Sequence, residues 1–107
     1  MIGDGLSKMT KIEVVVAGTD ASAVRDLFKS VGARGFTSLS GVSGLGHHGY
    51  HQGRLLFNDQ AALELLITVV SDESRDPLIS GLLPLLEESS GVMFVSDTYV
   101  SRPEYFR

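Results

Sequence analysis

Two segments of this 107-residue chain are apolar on both faces of an extended backbone, and that property constrains the fold more than any other. Lys11 to Ala17 (KIEVVVA) sets Ile12, Val14 and Val16 on one side and Glu13, Val15 and Ala17 on the other. Ala61 to Val70 (AALELLITVV) sets Leu63, Leu65, Ile67 and Val69 against Leu66 and Val70, with Glu64 and Thr68 as the interruptions. A half-solvated strand alternates apolar and polar residues; a strand with two apolar faces must be covered on both sides.

The remaining patterns supply cover for one side only. Ala21 to Val31 carries Val24, Leu27, Phe28 and Val31 at the i, i+3, i+4, i+7 spacing of a helix, with Asp20 placed to cap it and Gly32 to stop it. A second helix is expected to open at Asp76 with Pro77 in the first helical position and to run through Leu78, Ile79, Leu82, Leu83, Leu85 and Leu86, kinked or loosened by Gly81 and Pro84. Phe36 to about Val42 reads as a weaker strand and Val92 to Val100 as a stronger one. No period holds from Leu45 to Gln60, and a loop that long in a small domain is usually functional or mobile. Residues 1–10 lack periodicity and read as a disordered N-terminal tail; 11–107 form one domain, ending in an aromatic and basic tail at 101–107 (SRPEYFR).

The order β, α, β, long loop, β, α, β is that of an α+β, ferredoxin-like domain: a four-stranded antiparallel sheet with two helices on one face. The uncovered apolar face needs a partner surface, and a homo-oligomer is the economical one. Nine Lys and Arg against thirteen Asp and Glu give a formal charge of −4, which argues against a duplex nucleic-acid or anionic membrane partner. Any phosphate binding must therefore be local. No cysteine is present, so disulfides, thiolate metal sites and cysteine nucleophiles are excluded. Without a basic leader or an apolar run of about 18 residues, no membrane insertion and a cytoplasmic location are expected.

Seven of the twelve glycines fall between Gly32 and Gly53. Within that cluster Gly44 to Gly49 spells GLGHHG, a G-x-G-x-x-G pattern, but no helical stripe follows it and no acidic residue sits where a dinucleotide site needs one. Glycine-rich turns can still cradle an anion with backbone N–H groups. His47, His48 and His51 invite a metal reading, and a His-cluster metal-binding trimer is the alternative function; against it, no cysteine or nearby carboxylate completes a tetrahedral set. Ser38, Ser40 and Ser43 lie in no nucleophile elbow, so no catalytic residue and no enzyme activity are expected.

Several stretches together line up with one family. KIEVVV is similar to its opening strand; Gly35-Phe36-Thr37 to its Gly-Met-Thr; Ser43-Gly44-Leu45-Gly46 to its basic-Gly-Phe-Gly approach to a long T-loop; LELLITVVSDE to its third strand with an acidic exit; Gly91-Val92-Met93-Phe94-Val95 to its Gly-Lys-Ile-Phe-Val. Over about residues 11–100 the chain resembles the PII signalling proteins, and among them the PII-like branch associated with carboxysomes and bicarbonate transport.

The resemblance implies a homotrimer holding adenine nucleotides in the clefts between subunits, with no obligatory cofactor and no metal. Gly35, Phe36 and Thr37 would sit beside the base and Val69 would line its pocket. Gly44, Leu45, Gly46 and His47, at the base of a T-loop of about 45–60, would approach the phosphates. Gly91 would offer backbone N–H groups, with Val92, Met93 and Phe94 following it into the site. Val92 stands where the family has a phosphate-binding lysine, so AMP or ADP is favoured over ATP. The family's paired arginines fall, by gapless count, on Pro103 and Tyr105, leaving Arg102 as an out-of-register substitute. His47 and His48 replace the family's Arg-Gln after the T-loop glycines, which removes the basis for expecting magnesium chelation and 2-oxoglutarate sensing. The branch adds bicarbonate as a second ligand, near Gly46, His47, His48 and Arg54, a bicarbonate transporter or carboxysome component as partner, and a carboxysome-associated location.

Overall fold

The computed structural model describes residues 5–42, 44–46, 49–51 and 62–107. Its elements are β1 (Ser7–Ala17), α1 (Ala21–Ser30), β2 (Thr37–Val42), β3 (Gly44–Gly46), β4 (Gly49–His51), β5 (Leu63–Val70), α2 (Asp72–Glu87) and β6 (Val92–Val100). The order of the main sheet is β2-β5-β1-β6, with every neighbouring pair antiparallel. The two strands with apolar faces on both sides, β1 and β5, are thus the central pair.

On the helix side the core is closed. Ile12, Val14 and Val16 of β1 and Leu66 and Val70 of β5 meet Ala21, Val24 and Phe28 of α1 and Leu78, Leu82 and Leu86 of α2, all buried. Among the described residues no helix covers the opposite face. Register places Leu39, Leu65, Val15 and Val92 in one row across it, and Thr37, Ile67, Glu13 and Phe94 in the next. Leu39 is 50% exposed, Val92 49% and Phe94 55%, so this apolar face ends in side chains that the subunit itself leaves wet.

Three sequence expectations need correction. The first strand begins at Ser7 rather than near Lys11: Ser7–Thr10 gain their place from a backbone ladder to Asp97–Val100, and Met9 and Thr10 are buried. The second helix starts at Asp72, with Ser71 as its N-cap residue, so Pro77 lies inside the helix and not at its first position. Ser74 and Arg75 donate their N–H groups to the Ser71 carbonyl, and Asp72 and Glu73 fall in the first turn, where the helix dipole favours acid. Pro77 and Pro84 are seven residues apart and both exposed, so the carbonyls they leave without an N–H partner face water, and α2 continues through Glu87. Finally, the stretch expected to be aperiodic opens with a hairpin: Gly44 pairs with His51, Leu45 with Tyr50 and Gly46 with Gly49. Three-residue strands rich in glycine carry no apolar period, which is why the pairing leaves no trace in the pattern. The three glycines of G-x-G-x-x-G lie on this ladder.

Gly41 has φ +72° and sits where the β2–β5 register shifts between Ser40 and Val42, a bulge that turns the chain out of the sheet toward the β3–β4 hairpin. Gly91 is required by packing. A Cβ there would lie 2.6 Å from a Leu86 methyl carbon and 2.7 Å from one of Val16, and Val16 is β-branched and buried. Gly91→Ala is therefore expected to lower stability by about 1–3 kcal/mol, read as a lower midpoint in urea denaturation, with the subunit fold retained by circular dichroism.

Candidate functional site

β5 outruns β2. Its ladder to β1 continues to Val70, whereas its ladder to β2 stops at Ile67, opposite Thr37. The sheet edge therefore has a notch beyond Ile67. The chain before β2 forms one wall of it (Gly35, Phe36, Thr37), β5 the floor (Ile67, Thr68, Val69) and the C-terminal tail the other wall (Tyr105, Phe106), enclosing a cleft of about 390 Å³. That is within the range of small-molecule sites.

The walls are held from behind. Thr68, 2% exposed on the helix side, donates its hydroxyl to the Gly35 carbonyl at 2.6 Å, which fixes the turn against the strand and satisfies the buried hydroxyl. The Phe36 ring is tilted against Phe28 of the core, with centroids 6.0 Å apart. Ala33 donates its N–H to the Phe28 carbonyl and Gly32 to that of Lys29, closing α1 so that the chain reaches Gly35 in a set direction. On the other wall the tail turns back through a short 3-10 turn at Pro103–Tyr105. Arg34 donates from Nη1 to the Arg107 backbone oxygen at 2.7 Å, joining the two walls at their rim. Among the described residues Arg34, Arg102 and Arg107 form no ion pair with an Asp or Glu side chain.

Of the residues singled out from sequence, Gly35, Phe36, Thr37 and Val69 come together in this cleft, and Arg102 lies beside it, donating to the Tyr105 hydroxyl at 3.0 Å. Gly44, Leu45 and Gly46 continue from the same edge strand into the hairpin. Gly91, Val92, Met93 and Phe94 do not join them: they open β6, on the opposite edge, three strand spacings or about 14 Å away. Of these, Met93 packs against the helix-side core, and the Gly91 N–H is already taken by Ser89 Oγ at 3.0 Å. His47, His48 and Arg54 lie outside the described residues. Among the described residues no group of three histidine or acidic side chains could hold a metal ion.

Sequence reasoning missed Ile67, Thr68, Tyr105 and Phe106. Thr68 was visible only as a polar interruption of an apolar strand, and Tyr105-Phe106 as an aromatic pair in an otherwise polar tail.

Among the described residues no helix is long and apolar enough to cross a membrane. No curated protein matches the chain. The family model of nitrogen regulatory protein P-II matches residues 9–105. Among solved structures, CPII of Thiomonas intermedia K12, a nitrogen regulatory PII-like protein bound to ADP, AMP and bicarbonate, is 38% identical with a TM-score of 0.89, over 95% of this chain and 96% of that one. The same protein bound to ADP and bicarbonate gives 36% identity and a TM-score of 0.85, over 95% and 97%. A protein of Thermus thermophilus described as PII-like shares the fold at 18% identity and a TM-score of 0.79, over 95% of this chain and 98% of that one. The two-faced sheet, its βαββαβ order and the family match lead to one conclusion: this chain belongs to the nitrogen regulatory P-II family and is a PII-like regulatory protein.

Proposed function

We propose that the protein is a non-enzymatic trimeric sensor that binds AMP or ADP between subunits and reports occupancy to a partner of inorganic-carbon metabolism through its T-loop, about residues 45–60. The single observation that carries this reading is the notch at the β2 edge. It has apolar and backbone walls for a base, and it holds four of the residues that the family resemblance assigns to the nucleotide.

The sheet order supports an intersubunit site. Residues assigned to one nucleotide lie on both outer edges of a four-stranded sheet, and one small ligand cannot bridge them within a subunit. If the β2 edge of one copy approaches the β6 edge of the next, both groups meet, and the apolar row from Leu39 to Val92 is covered in the same step. Gly35 supports close approach of a ligand. Its φ is not positive and an added Cβ would meet nothing within 4 Å, so neither backbone conformation nor packing in the subunit accounts for a glycine there. Bicarbonate, bound by the Thiomonas protein in its crystals, is the second ligand we assign to the T-loop base. Cytoplasmic location, with association to carboxysomes, belongs to the same reading.

Calorimetric titration with AMP, ADP, ATP and bicarbonate, beside a light-scattering mass, tests the proposal. A trimer mass with AMP and ADP bound more tightly than ATP is expected; no nucleotide binding at millimolar concentration would sink it. Val92→Lys is expected to raise ATP affinity about tenfold or more, since a charge-assisted hydrogen bond contributes about 1.5–3 kcal/mol. Gly35→Ala should leave subunit stability within about 0.5 kcal/mol and weaken nucleotide binding; a loss of stability without loss of binding would remove Gly35 from the site.

A further inference from the structure

We infer that Tyr105 forms an aromatic wall against the nucleotide base, with Phe106 as its anchor and Arg102 as the residue that holds its ring. This inference rests on the nucleotide reading above. The tail turns back on itself at Pro103–Tyr105, with the Tyr105 N–H donating to the Arg102 carbonyl at 3.0 Å and the Phe106 N–H to that of Pro103 at 2.9 Å. The turn separates the two aromatic side chains. Phe106 is half-buried and ties the tail down, whereas Tyr105, lining the same cleft, is 57% exposed.

A large aromatic ring left this wet adds little to subunit stability, so its placement at the cleft needs another explanation. Its orientation is nevertheless specified. Arg102 donates from Nη1 to the hydroxyl at 3.0 Å, and its guanidinium carbon lies 5.6 Å from the ring centroid, so one residue holds the ring by edge and face. The Arg34 bond to the Arg107 backbone oxygen then limits how far the tail can swing from the Gly35–Thr37 wall. A held ring facing a strand floor of Ile67 and Val69 forms a flat apolar slot, which suits a planar heterocycle and offers nothing to a phosphate. Tyr105 therefore acts at the base end of the ligand, and its discrimination is independent of phosphate number.

The test uses the full chain with adenosine, AMP and ADP as probes. Tyr105→Ala is expected to weaken all three by the same factor, roughly five- to hundredfold, as loss of base stacking would. Tyr105→Phe, which keeps the ring, should restore most of that binding. The chain has three tyrosines and no tryptophan, so tyrosine fluorescence gives a second readout: AMP should quench it in the wild type, and most of the quench should vanish in Tyr105→Phe. Equal binding by wild type and Tyr105→Ala would overturn the inference while leaving the nucleotide reading intact. A loss for ADP much larger than for adenosine would also overturn it, by moving the tail's contact to the phosphates. Failure of the wild type to bind any of the three would remove both. Unchanged circular dichroism and mass in Tyr105→Ala would show that the comparison is between folded proteins.

Discussion

Everything in this molecule follows from a sheet whose two central strands are apolar on both faces while the helices of the described residues cover only one. On the covered side the result is an ordinary core, in which Ile12, Val14, Val16, Leu66 and Val70 are buried beneath α1 and α2. On the other side Val15, Leu65, Leu39 and Val92 form a row that ends in half-exposed side chains. Water in contact with that row is a standing cost of about 25 cal/mol for each Å² of apolar surface, and association with like copies is the direct way to remove it. The Lys11–Glu13 ion pair, at 3.7 Å on the same face, interrupts the apolar surface and gives any packing there a polar register mark.

The same constraint organises the proposed site. Because β2 and β6 are the two edges, the proposed trimer would bring unlike edges together as it covers the face. In that arrangement assembly and ligand binding would share the same edges, so each would strengthen the other.

Much of this was legible in the sequence, and the reason is period. Two-faced strands, the stripe of α1 and the terminal strand all bury side chains at regular intervals, and regular burial leaves a readable pattern. What escaped was structure held by backbone or by distance. The first residues of β1 are placed by their ladder to β6, with Met9 as their one buried apolar side chain. The start of α2 was hidden because Pro77 looked like a helix opening, whereas its ring sits on the solvent side of a helix already under way. In the site, Gly35, Phe36, Thr37 and Val69 were legible through resemblance and not through chemistry. Thr68 reaches a carbonyl 33 residues away, and Arg34 one 73 residues away, separations at which a single sequence carries no signal.

The notch beside β5 is made by a missing length of strand and by no particular side chain. A void of that origin is set by register: its floor cannot shift without breaking the ladder between β1 and β5, and its position is insensitive to substitution on the surface. The tail that forms its second wall has no ladder to preserve. Related chains could thus exchange one small ligand for another by rewriting seven C-terminal residues, while the assembly surface and the sheet beneath stayed as they are. In the proposed site, ligand choice would then rest on the tail and construction on the sheet.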